Sequence, residues 1–191
     1  MLSADGYAPG QFGSSYGSIP FGTSFRVVDL YQKEKGIKNM RFVVQRVSSA
    51  SVEVEGSITG KIDKGFFVLI GVEEADDVKI ADKMISKLIG LRIFSDSEGK
   101  TNLSVQDVGG NLLLVSQFTL YADCRKGNRP SFTRSGSAEH AEKLYDYIVE
   151  SCRTALGADR VGTGIFGASM KCSLVNEGPF TIILDSAEVC R

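Results

Sequence analysis

Between Asn111 and Ala122 the chain reads NLLLVSQFTLYA, and its second half sets Ser116, Gln117 and Thr119 around Phe118. A strand that ends in small hydrogen-bonding groups is a common way to hold a site rigidly. For either hydroxyl to act as a nucleophile, an adjacent base must take its proton. The chain has one histidine, His140, so a Ser–His–Asp or Cys–His mechanism would have to use it. His140 falls near the start of a helical pattern, off its apolar stripe, and reads as a solvated surface residue. A histidine-based hydrolase is therefore disfavoured. The cysteines, Cys124, Cys152, Cys172 and Cys190, contain no CxxC pair and offer neither a zinc-ligand spacing nor a disulfide framework. They read as a reduced, cytoplasmic thiol set, with Cys152 as a small hydrophobe on a helix core face. The residues call for no cofactor and no metal.

Positive charge is the second chemical feature. DCRKGNRPSFTR, residues 123–134, sets Arg125, Lys126, Arg129 and Arg134 against one acid, Asp123. A solvated loop has this composition, and so does a phosphate-binding one, whose contacts position a nucleic acid without reading its sequence. Total charge does not choose between them. Twenty-two Lys and Arg against 23 Asp and Glu leave a formal −1, so any polyanion must be met by a local patch.

The elements that position these groups follow from periodicity. Leu112–Val115 is an unbroken apolar run, as in a strand covered on both faces, with the polar groups at its tip. The same stretch also reads as a core strand that merely turns toward solvent. Arg41–Val47 and Ser51–Glu55 are strand-like, Gly56 to Gly60 suits a turn, and GFFVLIGV from Gly65 reads as a buried strand. Asp76 or Asp77 can cap a helix carrying Val78, Ala81, Met84, Ile85 and Leu88, stopped by Gly90. LRIF, residues 91–94, is a short strand candidate. Ser137 suits an N-cap for a helix striped by Ala141, Leu144, Tyr145, Ile148, Val149 and Cys152 and ended by Gly157. Lys171–Asn176 and Phe180–Leu184 are strand-like runs broken by Glu177-Gly178-Pro179, which alone reads as a turn or bulge between edge strands.

With 191 residues the chain is one domain, or one domain with an appendage. Residues 1–39 are rich in Gly, Ser and Tyr, show no sustained periodicity before FRVVDLY, and lack the apolar block of a signal peptide. They read as a leader, non-native or disordered, with Met40 as the natural start of a domain spanning residues 40–191. No apolar run approaches the roughly 18 residues of a membrane span.

SQFTLYA at Ser116–Ala122 and NEGPFT at Asn176–Thr181, in that order, resemble the two signature motifs of D-aminoacyl-tRNA deacylases. GNRPSF at Gly127–Phe132, GIFGASM at Gly164–Met170 and MRFVVQRV from Met40 extend the match over nearly all of residues 40–191. Each motif is short, and their order and separations carry the identification. Thr101 and Glu177 are small departures, and the leader is foreign to the pattern.

The resemblance implies an α/β fold whose mixed sheets curve into a barrel-like core with helices packed outside. It implies a cytoplasmic homodimer that hydrolyses the ester between a D-amino acid and the 3′ end of tRNA, with mischarged glycyl-tRNA as a further substrate. Gly178 and Pro179 match the family's cis Gly-Pro, a chiral filter that enters the partner subunit's pocket. Arg46 matches the arginine supporting that loop, and Asn176 and Met170 fall with the substrate-binding residues. The main-chain N–H near Phe118 would stabilise the oxyanion, with Ser116, Gln117 and Thr119 shaping the pocket and the tRNA 2′-hydroxyl assisting attack. Thr181 is the one side-chain nucleophile to weigh against this, and Arg125, Lys126 and Arg129 are the tRNA-binding candidates. A noncatalytic RNA-binding module and an unselective small-ester hydrolase are the rival readings.

Overall fold

The computed structural model describes residues 39–190; except for Asn39, the leader lies outside them. Strand β1 (Arg41–Val54) is a single 14-residue element where two runs were expected. The Ser48–Ser51 segment that suggested a break stays in the ladder, because Ser49, Ala50 and Ser51 pair with Val175, Leu174 and Ser173. The turn after β1 is also tighter than the Gly56–Gly60 expected. Glu55 and Gly56 both have positive φ, 50° and 83°, as in a two-residue hairpin, and β2 (Ser57–Ile62) begins at once.

Strand β3 (Gly65–Gly71) runs antiparallel to β1, and two short strands, β4 (Phe94–Ser95) and β5 (Thr101–Leu103), form a separate hairpin. Only Phe94 of LRIF enters a strand. The carbonyl of Ile93 is occupied by the Arg46 guanidinium instead of a strand neighbour. Strand β6 (Asn111–Ser116) pairs parallel to β3, and β7 (Val161–Thr163) parallel to β6. Strand β8 (Lys171–Asp185) lies antiparallel along β1, so the main sheet is six-stranded and mixed.

The path β2-β1-β3-β6-β7 curls until its two ends meet. At the seam a Cβ added to Gly60 of β2 would stand 2.4 Å from the Thr163 carbonyl oxygen of β7, so only glycine admits this approach. The nearly closed sheet is filled from inside by Val47, Ala50, Val52, Ile62, Phe67, Leu113 and Val115. Its outer face is covered by helices α1 (Val78–Ile89) and α2 (Ala138–Leu156); a short α3 (Ser186–Val189) follows β8. Residues alternate between the two cores: Phe66, Val68, Leu112 and Leu114 face the helices, while Phe67, Leu113 and Val115 face inward. This two-sided burial explains the unbroken apolar run of β6.

Asp77 caps α1, its Oδ1 accepting from Ile80 N–H at 3.0 Å. Asp76 instead accepts the N–H groups of Asn39, Met40 and Glu73. Val78 is exposed, because core contact starts one turn in, at Ile80 and Ala81. Ser137 sits at the N-cap of α2 without a side-chain capping bond; its N–H donates to Glu74 Oε2 at 2.7 Å. His140 is half-buried where a solvated surface residue was expected. Its Nε2 is buried without a hydrogen-bond partner, beside the segment carrying Glu74 and Asp76. No described helix is long and apolar enough to cross a membrane.

Candidate active site

The polar tip of β6 is held by its neighbour. Ser116 is in register with Ile70 of β3, and Gln117 N–H donates to the Ile70 carbonyl at 2.7 Å. The chain then turns into a 3-10 helix, Phe118–Tyr121. Tyr121 anchors this turn from below, buried, with its hydroxyl donating to the Asn39 carbonyl at 2.7 Å. Gln117 Nε2 donates to Thr119 Oγ1, which fixes the amide. As at any helix start, the first N–H groups have no partner within the turn. Those of Phe118 and Thr119 donate to no acceptor among the described residues.

Beside this tip lies a cleft of about 560 Å³. Ser116, Gln117 and Phe118 form one side, Phe166, Met170 and Cys172 another, and Ile70 and Val115 contribute apolar floor. No charged residue and no histidine lines it. Tyr145 reaches the lining, but its hydroxyl donates to the Leu114 carbonyl at 2.8 Å and burial raises its pKa far above the ordinary 10.0. Cys172 is an exposed residue whose thiol is raised from the ordinary 9.0 by partial desolvation, so it is no ready thiolate. Cys152 is buried on the core face of α2, and its thiol is pushed up to about 12 by desolvation, consistent with a packing role. Among the described residues no group of His, Cys, Asp and Glu could hold a metal ion.

The Gly-Pro segment does not line this cleft. Gln45 of β1 pairs with Thr181 and Val47 with Asn176, so residues 177–180 bulge out of β8 opposite Arg46. Glu177, Gly178 and Pro179 are exposed, the Gly178-Pro179 bond is cis, and Gly178 has φ 126°. Arg46, 7% exposed, grips the bulge from below: Nε donates to the Glu177 carbonyl at 3.2 Å and Nη1 to that of Ile93. Asn176 Nδ2 donates to the Arg46 carbonyl at 3.2 Å and the Phe180 carbonyl at 3.0 Å, tying both strands across the gap.

The sequence-derived residues thus divide into two groups. Ser116, Gln117, Phe118 and Met170 share the cleft, with Thr119 supporting from behind. Arg46, Asn176, Gly178, Pro179 and Thr181 belong to the β8 bulge and do not line the cleft. Thr181 is exposed beside Gln45, which offers no base. Sequence reasoning passed over Phe166 and Cys172 in the cleft and Phe94 and Phe180 around Arg46. Phe180, next to Gly-Pro, was the one with a usable signal.

In the basic loop half of the charge is already neutralised. Arg125 pairs with Asp123 through Nη2 at 2.5 Å, holding that carboxyl well below its usual range, and Arg134 meets Glu73 at 3.3 Å. Lys126 and Arg129 are exposed and form no ion pair among the described residues. A backbone bridge between Asp123 and Ser131 closes the loop, and Phe132 packs edge-on to the exposed Phe118 with centroids 5.2 Å apart.

Comparison with known proteins identifies the family. The family model described as D-Tyr-tRNA(Tyr) deacylase matches residues 43–185, and so includes the cleft strands and the β8 bulge. The chain belongs to that family. The D-aminoacyl-tRNA deacylase of Thermosipho melanesiensis is 53% identical over 150 residues, 78% of this chain and 99% of the relative. That of Pectobacterium atrosepticum is 50% identical over 144 residues, 75% of this chain and 98% of the relative. Among solved structures, one described as c-Myc DNA Unwinding Element Binding Protein superposes with a TM-score of 0.72 at 39% identity, covering 75% of this chain and 97% of that one. A probable eukaryotic D-amino acid tRNA deacylase gives a TM-score of 0.67 at 20% identity, covering 77% and 99%, a likeness of fold. The expected α/β architecture, a curved mixed sheet with helices outside, is thus the fold of this deacylase-family enzyme.

Proposed function

We propose that the chain is a tRNA-editing hydrolase that cleaves the ester of D-aminoacyl-tRNA, releasing the free D-amino acid and tRNA, with mischarged glycyl-tRNA as a further substrate. Family membership supports the reaction, and the observation that carries the mechanism is the uncharged cleft. With no histidine, carboxylate or cation among its lining residues and no ready thiolate at Cys172, it offers no side-chain base to activate a nucleophile. The tRNA 2′-hydroxyl is then the group that assists attack. The chain's own contribution is an oxyanion site from the unpaired N–H groups of Phe118 and Thr119, held rigid by the Gln117 bonds.

Chiral selection falls to Gly178 and Pro179. Because they stand on the bulge and outside the cleft lining, we assign them to the cleft of a second copy in a homodimer. Strand β8 favours such pairing: β1 is its one described neighbour, and Val175 and Ile183, on either side of the bulge, are 59% and 62% exposed. Carbonyl groups of the bulge would hold the substrate amino group and exclude an L side chain while accepting any D side chain. Lys126 and Arg129 would contact tRNA phosphates. We also place the functional domain at residues 40–191, acting in the cytoplasm.

The test is hydrolysis of matched D- and L-aminoacyl-tRNAs. Selective loss of the D form is expected. Loss of neither would favour a noncatalytic RNA-binding module, and equal loss of both an unselective esterase. A terminal 2′-deoxyadenosine hydrolysed at full speed would overturn the RNA-assisted step, as would loss of turnover with intact tRNA binding in Thr181→Ala.

A further inference from the structure

Arg46 is a buried cation with no carboxylate partner among the described residues. Its two recorded guanidinium hydrogen bonds go to neutral carbonyls, those of Glu177 and Ile93. What faces the charge is aromatic. The guanidinium carbon lies 4.2 Å from the ring centroid of Phe180 and 5.9 Å from that of Phe94. A ring face attracts a cation through its quadrupole, most strongly where water is excluded. Phe94 is fixed from behind by stacking on Phe66, with centroids 5.1 Å apart and planes 17° apart.

Phe180 is also the residue that follows Gly178-Pro179, so the contacts form a closed circuit. The guanidinium holds Glu177 at the start of the bulge, and the ring of Phe180 at its end faces the guanidinium. Asn176 joins the Phe180 carbonyl to the Arg46 carbonyl. Gly178 lies within this circuit: an added Cβ would stand 2.6 Å from Phe180 Cδ2 and 3.1 Å from Arg46 Nη2.

We propose that Phe180 is a positioning residue for chiral selection, its ring fixing the Arg46 guanidinium that sets where Gly178-Pro179 stands. This rests on the filter assigned to Gly178 and Pro179 above. Phe180→Leu keeps an apolar side chain of comparable reach but has no ring face, whereas Phe180→Tyr keeps the face. In the leucine variant the ratio of D- to L-aminoacyl-tRNA kcat/KM should fall about tenfold, with the loss on the D substrate expressed in KM. The tyrosine variant should stay within about twofold of wild type. Combining Phe180→Leu with Arg46→Lys should cost little more selectivity than Arg46→Lys alone, since the ring acts through the guanidinium.

A spectroscopic arm separates this inference from the filter reading. The Arg46 Nε–H NMR resonance should carry a ring-current shift in the wild type and Phe180→Tyr and lose the larger part of it, that of the nearer ring, in Phe180→Leu. An unmoved resonance, an unchanged D/L ratio in Phe180→Leu, a tyrosine variant as impaired as leucine, or additive losses would overturn the proposal. A wild-type enzyme with no D/L preference would overturn the filter, and the positioning role with it, while leaving the resonance shift intact.

Discussion

Gly178→Ala is the most demanding single test of the bulge, and its cost can be worked from the backbone. At φ 126° an L residue is strained, a penalty of about 1–3 kcal/mol. The new methyl would also stand 2.6 Å from the Phe180 ring, 3.1 Å from Arg46 Nη2 and 3.2 Å from the Phe180 backbone nitrogen. The ring can swing aside only by leaving the guanidinium, and the backbone nitrogen cannot move without shifting the bulge, so overpacking adds roughly 1 kcal/mol or more. A total of about 2–4 kcal/mol is within the reserve of an ordinary domain, so the variant should fold. If the bulge keeps its place, the melting temperature should drop by roughly 4–16 °C, at about 2–4 °C per kcal/mol for a chain of this size. If it moves, the melt recovers and the proposed filter is displaced, and a misplacement of about 1 Å costs on the order of a hundredfold in rate. Thermal melting paired with single-turnover deacylation of D- and L-aminoacyl-tRNA reads both branches. A variant with wild-type melting and wild-type rates on both substrates would refute the reasoning.

Three further outcomes can be stated. Gly65→Ala should unfold the domain or lower its melting temperature by more than about 10 °C, because the methyl would stand 1.9 Å from the Asn111 carbonyl oxygen in the adjoining strand; an unchanged melt would contradict the β3–β6 register. Lys126→Ala with Arg129→Ala should flatten the salt dependence of tRNA binding by about 1.4 in log–log slope, at about 0.7 per single-strand phosphate contact, and an unchanged slope would remove both from the interface. Asp76 sits above its ordinary 3.8, chiefly through burial, so it binds its proton more tightly folded than unfolded. Its favourable contribution is complete below the unfolded pKa and lost as pH rises through the folded one. Asp76→Asn cannot ionise, so whatever its offset in acid, its stability relative to wild type should improve between about pH 4 and pH 7 in denaturant titrations; a falling difference would show the sign is wrong.

The sequence was most informative where one periodicity meets one environment. Leu112–Val115 could be read as a doubly covered strand, and the stripe from Leu144 to Cys152 as a helix face, because each is buried by its own pattern. It was least informative where a distant segment changes the environment. His140 does lie off the apolar stripe of α2, but its Nε2 is buried near Glu74 and Asp76, which belong to a segment far earlier in the chain. The join in β1 depends on β8 pairing across Ser49–Ser51, from the far end of the chain. At the candidate site, motif resemblance pointed to Ser116–Thr119 and Gly178-Pro179 but left the aromatic neighbours of Arg46 unseen. Phe94 and Phe180 meet that guanidinium only after β1, β4 and β8 have assembled.

The filled interior of the curved sheet has a consequence for how this enzyme can change. A barrel plugged by Val52, Phe67 and Leu113 is no container; nothing can be carried in its lumen, and the candidate site lies outside it, at the tip of β6 and, on the proposed reading, on the outer strand. New side chains at the rim can therefore alter what is recognised with little disturbance to the plug. The scaffold is free to stay fixed while its substrates diverge.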